Sequence, residues 1–550
     1  MVIRSSLAAT RLLRDRGVKY AFGVPGESFL GLLDALYETP EIELVTCRHE
    51  GGAAFMADAA AKLIGQPSIC MGTRGVGTAN LAIGIHTAYQ DSTPMLAMVG
   101  QVETPFRHRE ALQEVELAPF LGEITKWSVE PPSASELPRL VSEAYRMSMS
   151  GRPGPVGIVL RGDILDEEVP EPDLPSTAPI ETAVAADVAG QVIDLLKNAK
   201  QPVIIAGGGV LRAGAVAPLV AFAEQTGIPV ATAFRRLDAF PTDHPLSLGS
   251  LSFGTPAVVR ERMATADVIL AIGARLNETT TLGYTVPTPG TTLIHVDIDP
   301  ETVGKTYPAA IGIAADARVA IATLANAAQT VSWPDRSAEQ QELKAKLTAV
   351  LDASSVSTAH GVDPAVVMRE LSRQLPDRSV LTSDAGNFWT WTQRYGSFTH
   401  PGTFLGPVSG AMGYAVPSAV DAAIVNDSAF PSVSLSGDGG FLMTANELAT
   451  AAQRKLNVIC VVFDNGIYGT IRAHQEREFP GRVSGTDIWT PDLVKYAEAF
   501  GGQGFRVERN DQAADAIAAA IANPGISVID VVVDPENISA GTAMSSISKR

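Results

Sequence analysis

A chain of 550 residues that is 46% hydrophobic and 19% charged is too long for one hydrophobic core and too apolar for a disordered or fibrous class. A soft prior of about 150 residues per domain leads to an expectation of three domains. The formal net charge of −18 excludes the basic footprint that phosphate-backbone binding requires, so nucleic acid is not an expected partner. Any anionic ligand has to be held by local dipoles or by a metal.

The N-terminal stretch MVIRSSLAATRLLRDRGVKY interrupts its apolar run with Arg11, Arg14, Asp15 and Arg16, and so lacks the core of a secretion signal. No window reaches the ~18 apolar residues of a membrane span. Cys47, Cys70 and Cys460 are odd in number and lack metal-site spacing, which fits a reducing compartment. A cytoplasmic location without membrane contact is expected.

From Ser5 to Gly162 helical stretches alternate with short apolar strands that run into Gly-containing turns, as in VKYAFGVPGES, PSICMGTRGVG and PMLAMVGQV. That rhythm predicts a buried parallel sheet with crossover helices. The Pro-rich, acidic stretch Glu167–Ala178 reads as a linker. A second α/β unit runs through QPVIIAGGGV, GIPVAT, DVILAIGARL and TTLIHVDIDP. After it, Asn326–His360 is polar and helical and reads as a second connection. The third unit starts near Gly361 and carries strands at SVLTSD, PSVSLSGDGG, LNVICVVFDN and ISVIDVVVD. The expectation is an α/β protein of three open parallel-sheet domains, 1–170, 185–330 and 361–550, with the first and third similar.

The strongest local signal spans residues 434–469. Gly437, Asp438, Gly439 and Gly440 follow an apolar strand and open a helix, so backbone N–H groups and the helix dipole face an anion. A bare aspartate there would repel a phosphate unless a divalent cation lay between them. A helix and a second strand (Val458 to Phe463) then lead to Asp464, Asn465 and Gly466. Neighbouring parallel strands put both loops at one carboxyl edge of the sheet. Asp438, Asn465 and a loop carbonyl such as that of Ile467 make a hard oxygen set that suits Mg²⁺, completed by diphosphate oxygens and water.

This joint pattern, GDG, about 25 residues, then an Asn-bearing loop after an apolar strand, resembles the signature of thiamine-diphosphate-dependent enzymes. Other segments share the resemblance, which spans roughly residues 5 to 535. It implies a pyrimidine-binding first domain, a central domain and a diphosphate- and Mg²⁺-binding third domain. Glu50, in VTCRHEGGAAFMADAAAK, matches the family's acid at the ring nitrogen of the cofactor's aminopyrimidine. Such a carboxyl has to hold a proton near neutral pH, so an apolar shell is expected around it. In GPVSGAMGYAVPSAV, Met412 matches the residue wedged between the cofactor rings, and the carbonyl of Gly410 the group that holds the amino function. Asn387, in SDAGNFWTW, matches a contact to the diphosphate.

Within the family, FGVPGES, RHEGGAAFMADA, GTANLAIGIHTAYQDSTPMLAMVGQV and EALQEVE look most like acetolactate synthases, which implies decarboxylation of a 2-oxo acid with ligation to a second carbonyl. Gln113 would then be a polar group near the reacting carbonyl; an exposed helix glutamine is the alternative. The departures are specific. Arg74 replaces a small residue in TRGVG, and Glu27 follows Pro25–Gly26 where synthases carry a small residue. Tyr468 and its IYG run are similar to benzoylformate-type decarboxylases. His474 stands where a synthase has a tryptophan, and Thr279 stands in place of an arginine. A non-ligating 2-oxo acid decarboxylase or an aldehyde or hydroxyketone lyase is therefore the alternative activity. Gly207–Gly209 follow a strand without GxGxxG spacing, so FAD is not expected, while ADP or an empty cleft stay open. A flavin or nicotinamide oxidoreductase is a remoter reading, as is a catalytically silent regulatory subunit, against which Glu50, Asp438 and Asn465 weigh. Because the family pairs its units across subunits, a homodimer or homotetramer with interfacial sites is expected.

Overall fold

The structure is a computed structural model and describes residues 2–172, 182–352 and 360–547. It contains three six-stranded sheets in which every strand pairing is parallel.

The first sheet uses Tyr20–Gly23, Glu43–Thr46, Ser68–Thr73, Met95–Gln101, Trp127–Val129 and Pro155–Arg161; numbered along the chain, these lie side by side as 2-1-3-4-6-5. The third sheet repeats that order with Val380–Ser383, Phe404–Leu405, Ser432–Gly437, Val458–Asp464, Gln503–Val507 and Ile526–Val532. The likeness between the outer units is thus topological and not only rhythmic. The central sheet, within residues 203–314, has the order 3-2-1-4-5-6, the doubly wound arrangement whose crevice lies where the winding reverses.

Central strands such as Val458–Asp464 are buried from Val458 to Phe463, because crossover helices cover both faces and a near-continuous apolar run satisfies them. Two helices rich in small residues, Glu50–Ile64 and Ala415–Val425, pack on one another. They merge the first and third units into one core that contains Ala53, Ala57, Val416, Ala419, Phe441 and Val462. The approach of neighbouring helices is close: a Cβ on Gly84 would lie 2.3 Å from the Cβ of Ala54.

Two expected connections differ from the structure. Glu168–Pro170 is a strand, paired antiparallel with Val2–Arg4, so the start of the supposed linker fastens the N-terminus; its residues 173–178 lie outside the described residues. The helix Ser337–Asp352 is present as expected, yet it belongs to the central unit: Leu347 is buried in that unit's core, and Arg262 is ion-paired with Glu339. Residues 353–359 of that connection are likewise outside the described residues. Among the described residues no helix is long and apolar enough to cross a membrane.

Candidate functional site

Strands Ser432–Gly437 and Val458–Asp464 are direct neighbours, with Gly437 opposite Phe463, and Val380–Ser383 flanks them on the other side. Three loops, at 384–388, 438–440 and 465–468, therefore leave the sheet at one edge beside its switch point, where this architecture binds ligands. They border a cleft of about 890 Å³. All eleven residues proposed from the third unit line it: Asn387, Gly410, Met412, Gly437, Asp438, Gly439, Gly440, Asn465, Ile467, Tyr468 and His474.

Asp438 opens a short helix, Asp438–Thr444. Its Oδ1 accepts the N–H of Gly439 at 2.9 Å and its Oδ2 that of Gly466 at 2.8 Å, which locks the first metal-type loop onto the second. Asp464 accepts the same Gly466 N–H at 3.2 Å, and the Thr490 hydroxyl lies within hydrogen-bond distance of both carboxylates. Burial, with Asp464 adjacent, pushes the Asp438 carboxyl up to about 7. Asp464 beside it disfavours the charge on Asp438 in this buried setting. Asn465 Oδ1 accepts the N–H of Ile467 at 3.2 Å.

The glycines are needed for space. A Cβ on Gly439 would lie 2.5 Å from the Tyr468 ring, and one on Gly440 would lie 2.5 Å from the Asp384 carboxylate. Asn387 pairs with the Thr470 hydroxyl across the cleft. Thr490, Thr470 and Asp384 were not foreseen. Asp384 is fully buried with Oδ2 unpartnered, and burial raises it to about 6 despite the Ala415 N–H at 2.7 Å. Its place in SDAGN, at the end of an apolar strand, is the one signal that pointed to it.

The first-unit residues gather elsewhere, and none lines the cleft of its own chain. Glu27 and Arg74, the two departures from the synthase pattern, meet in an ion pair at 3.3 Å. The Arg74 guanidinium also donates to the carbonyl of Leu112 at 3.2 Å, and Gly75 N–H donates to that of Gln113 at 3.1 Å. Gln113 is exposed and sits in a turn at φ 61°, not in a helix; Arg107, bound to Glu114 at 2.7 Å, folds that loop back on itself.

Glu50 is the first residue of its helix and is half-buried. Among the described residues its carboxyl meets an amide and a glycine in place of the apolar shell expected: Oε2 accepts from Asn80 Nδ2 at 2.9 Å, and a Cβ on Gly77 would lie 3.3 Å from Oε1.

Thr279 lies in a turn of the central unit and does not border the cleft. Gly207 and Gly209 press on Gly273, where a Cβ on Gly207 would stand 2.0 Å from the carbonyl oxygen; close loop packing accounts for those two glycines. The three cysteines are free and buried.

Comparison with known sequences gives a consistent result. Residues 6–119 match the N-terminal TPP binding domain of thiamine pyrophosphate enzymes, residues 189–324 their central domain, and residues 384–531 their C-terminal TPP binding domain. The probable acetolactate synthase large subunit of Methanocaldococcus jannaschii is 32% identical, over 97% of this chain and 92% of that one. The acetolactate synthase isozyme 2 large subunit of Escherichia coli K12 is 32% identical over 96% and 95%. The acetolactate synthase large subunit of Corynebacterium glutamicum is 32% identical over 98% and 89%.

Proposed function

Because the chain belongs to the thiamine pyrophosphate enzyme family, we propose that it decarboxylates a 2-oxo acid and joins the remaining fragment to a second carbonyl compound, as an acetolactate-synthase-like carboligase. The observation that carries this reading is the convergence of eleven third-unit residues on one cleft around the Asp438–Asp464 pair. Thiamine diphosphate, when bound, accepts the electron pair released with CO₂.

The rest is the work of this chain. Asp438, the Asn465 side-chain oxygen and the Ile467 carbonyl hold Mg²⁺, a hard-oxygen set in keeping with that ion. The bond from the Gly466 N–H to Asp438, which ties the two ligand loops together, supports this assignment. Gly437 and Gly440, with Asn387, face the diphosphate, while Gly439, whose N–H is given to Asp438, and Gly440 leave room for Tyr468 and Asp384. Met412 would pack against the bound cofactor, and the Gly410 carbonyl would accept its amino group. Glu50 exchanges the proton that activates the cofactor. Gln113, Glu27, Arg74, Tyr468 and His474 face the substrates.

Glu50 does not line its own chain's cleft, which supports a homodimer or homotetramer in which one subunit supplies Glu50 and its partner the metal loop. Exposed apolar side chains near both half-sites, Val76, Ile83, Leu112 and Val115 in the first unit and Leu442 and Met443 in the third, are in keeping with such a seam. The test is to supply the Mg²⁺ and thiamine diphosphate form with pyruvate, benzoylformate and oxalyl-type substrates and identify products by mass spectrometry. Acetolactate from pyruvate is the expected result. Aldehyde alone, across the panel, would replace ligation by simple decarboxylation.

A further inference from the structure

A buried acid of the third unit faces the first unit and has no part in the reading above. Glu447 ends the turn Ala445–Glu447 that follows the metal-loop helix, and its side chain is fully buried. Its Oε1 accepts the backbone N–H of Arg48 at 2.9 Å and of His49 at 3.0 Å, and its Oε2 accepts the Thr450 hydroxyl at 2.7 Å. Arg48 and His49 are the two residues that lead into Glu50. A Cβ on Gly52 would stand 2.6 Å from the Glu447 Oε1, so the glycine is what admits the carboxylate beneath the first turn of the Glu50 helix.

Neighbouring contacts tighten the same seam. The Thr450 hydroxyl reaches the Thr46 carbonyl at 3.3 Å, and Arg48 donates to the Gln453 side chain at 2.6 Å. Glu50 is thereby held twice: the backbone before it by Glu447, and its carboxyl by Asn80. Charge-assisted bonds from backbone N–H to a buried carboxylate are stronger than neutral ones, and removing the acceptor takes from both donors the partner that fixes them.

We infer that Glu447 is a positioning residue for Glu50, fixing from the third unit of the same chain the direction in which the acid leaves the first sheet. The inference rests on the proposed role of Glu50. Misplacing a reacting group by about 1 Å costs as much as 100-fold in rate, so a loosened Glu50 slows proton exchange without emptying the cofactor site.

The experiment uses the Mg²⁺ and thiamine diphosphate holoenzyme and follows hydrogen–deuterium exchange at the cofactor's reactive carbon by quenched-flow NMR. Cofactor Kd and amide exchange of the 46–56 peptide in the cofactor-free protein are measured alongside. Glu447→Ala is expected to slow carbon exchange about tenfold or more, to leave Kd within about threefold, and to speed amide exchange at Arg48 and His49. Glu447→Gln, which keeps an acceptor oxygen, restores at least about a third of the rate. Gly52→Ala, which pushes the carboxylate away, behaves like Glu447→Ala and decides the matter if that variant does not fold. Glu50→Gln is the control. If it slows exchange while Glu447→Ala and Gly52→Ala do not, the positioning role is overturned; if Glu50→Gln has no effect, the role of Glu50 falls, and this inference with it.

Discussion

Asp91 is the point at which all three units meet. Its carboxylate has no exposed side-chain surface; it is ion-paired with Lys62 of the first unit, bound to Arg236 of the central unit at 2.9 Å, and accepts the N–H of Val408 of the third at 3.0 Å. Burial alone would raise the carboxyl, but Lys62 and Arg236 outweigh it and hold it down at about 2. Against an ordinary 3.8, that is roughly 2–3 kcal/mol, at 1.36 kcal/mol for each tenfold in proton affinity. Asp91→Asn removes this and leaves Arg236 facing a neutral amide, whereas Lys62 keeps Asp58 at 2.6 Å. The expected loss is about 2–4 kcal/mol, overlapping the range for breaking a buried pair from one side.

Because the folded-state value lies below the unfolded one, the stabilisation is fully present above about pH 4 and is lost as pH falls from there toward 2. The gap between wild type and Asp91→Asn is therefore flat from pH 5.5 to 8 and narrows only in acid. Urea midpoints followed by tryptophan fluorescence report it, the midpoint being used because a chain of this size need not unfold in two states. Val408 leads into the loop that brings Gly410 and Met412 to the cleft, so cofactor Kd is expected to rise about five- to tenfold as well. Equal midpoints at pH 7, or a gap that grows as pH falls, would refute the argument.

Gly84→Ala puts a Cβ 2.3 Å from that of Ala54 and is expected to cost about 1–3 kcal/mol through overpacking; Ala54→Gly in the same chain should recover part of it in urea titrations. Asp438→Ala should raise cofactor Kd at least about 100-fold and abolish its Mg²⁺ dependence, as seen by isothermal titration with and without a chelator; retained Mg²⁺ dependence would exclude Asp438 as a ligand. Mixing inactive Glu50→Gln and Asp438→Ala chains after dissociation should restore activity, because hybrid dimers contain one intact site; mixtures as inactive as their parents would place both residues in the same subunit's site. Arg74→Ala should change stability by no more than about 1 kcal/mol, since Glu27 is 68% exposed, while altering the KM of a carbonyl substrate; a large fall in melting temperature would make the pair structural.

What the residues disclosed in advance is what neighbouring strands determine. Gly437 to Ile467 is strand, loop, helix, strand, loop, so the register of two adjacent parallel strands is enough to bring Asp438 and Asn465 together. The same holds for Asn387, one strand over. Long-range partners were not legible: Thr490 reaches the two acids from a loop that no periodicity links to them, and Glu447 and Asp91 act across units. The helix that the alternative reading gave Gln113 does not form: the residue is exposed in a turn, in a loop that the Arg107–Glu114 ion pair folds back. Glu168–Pro170 has the acidic, Pro-rich composition of a linker, and its pairing with the N-terminal strand is a long-range contact that composition does not reveal.

The departures from the synthase pattern carry a different lesson. Glu27 and Arg74 look like two independent changes in the sequence, yet Gly23 and Met71 are register partners on adjacent strands, so the loops that follow are forced together and the charges neutralise one another at 3.3 Å. They are one unit. This pair and Gln113 lie on the first unit, whereas Tyr468 and His474 lie on the third and line the same cleft as Asp438. The residues proposed to face the substrates are therefore divided between units in the same way as Glu50 and Asp438, and whatever arrangement completes the cofactor site completes the substrate pocket in the same step.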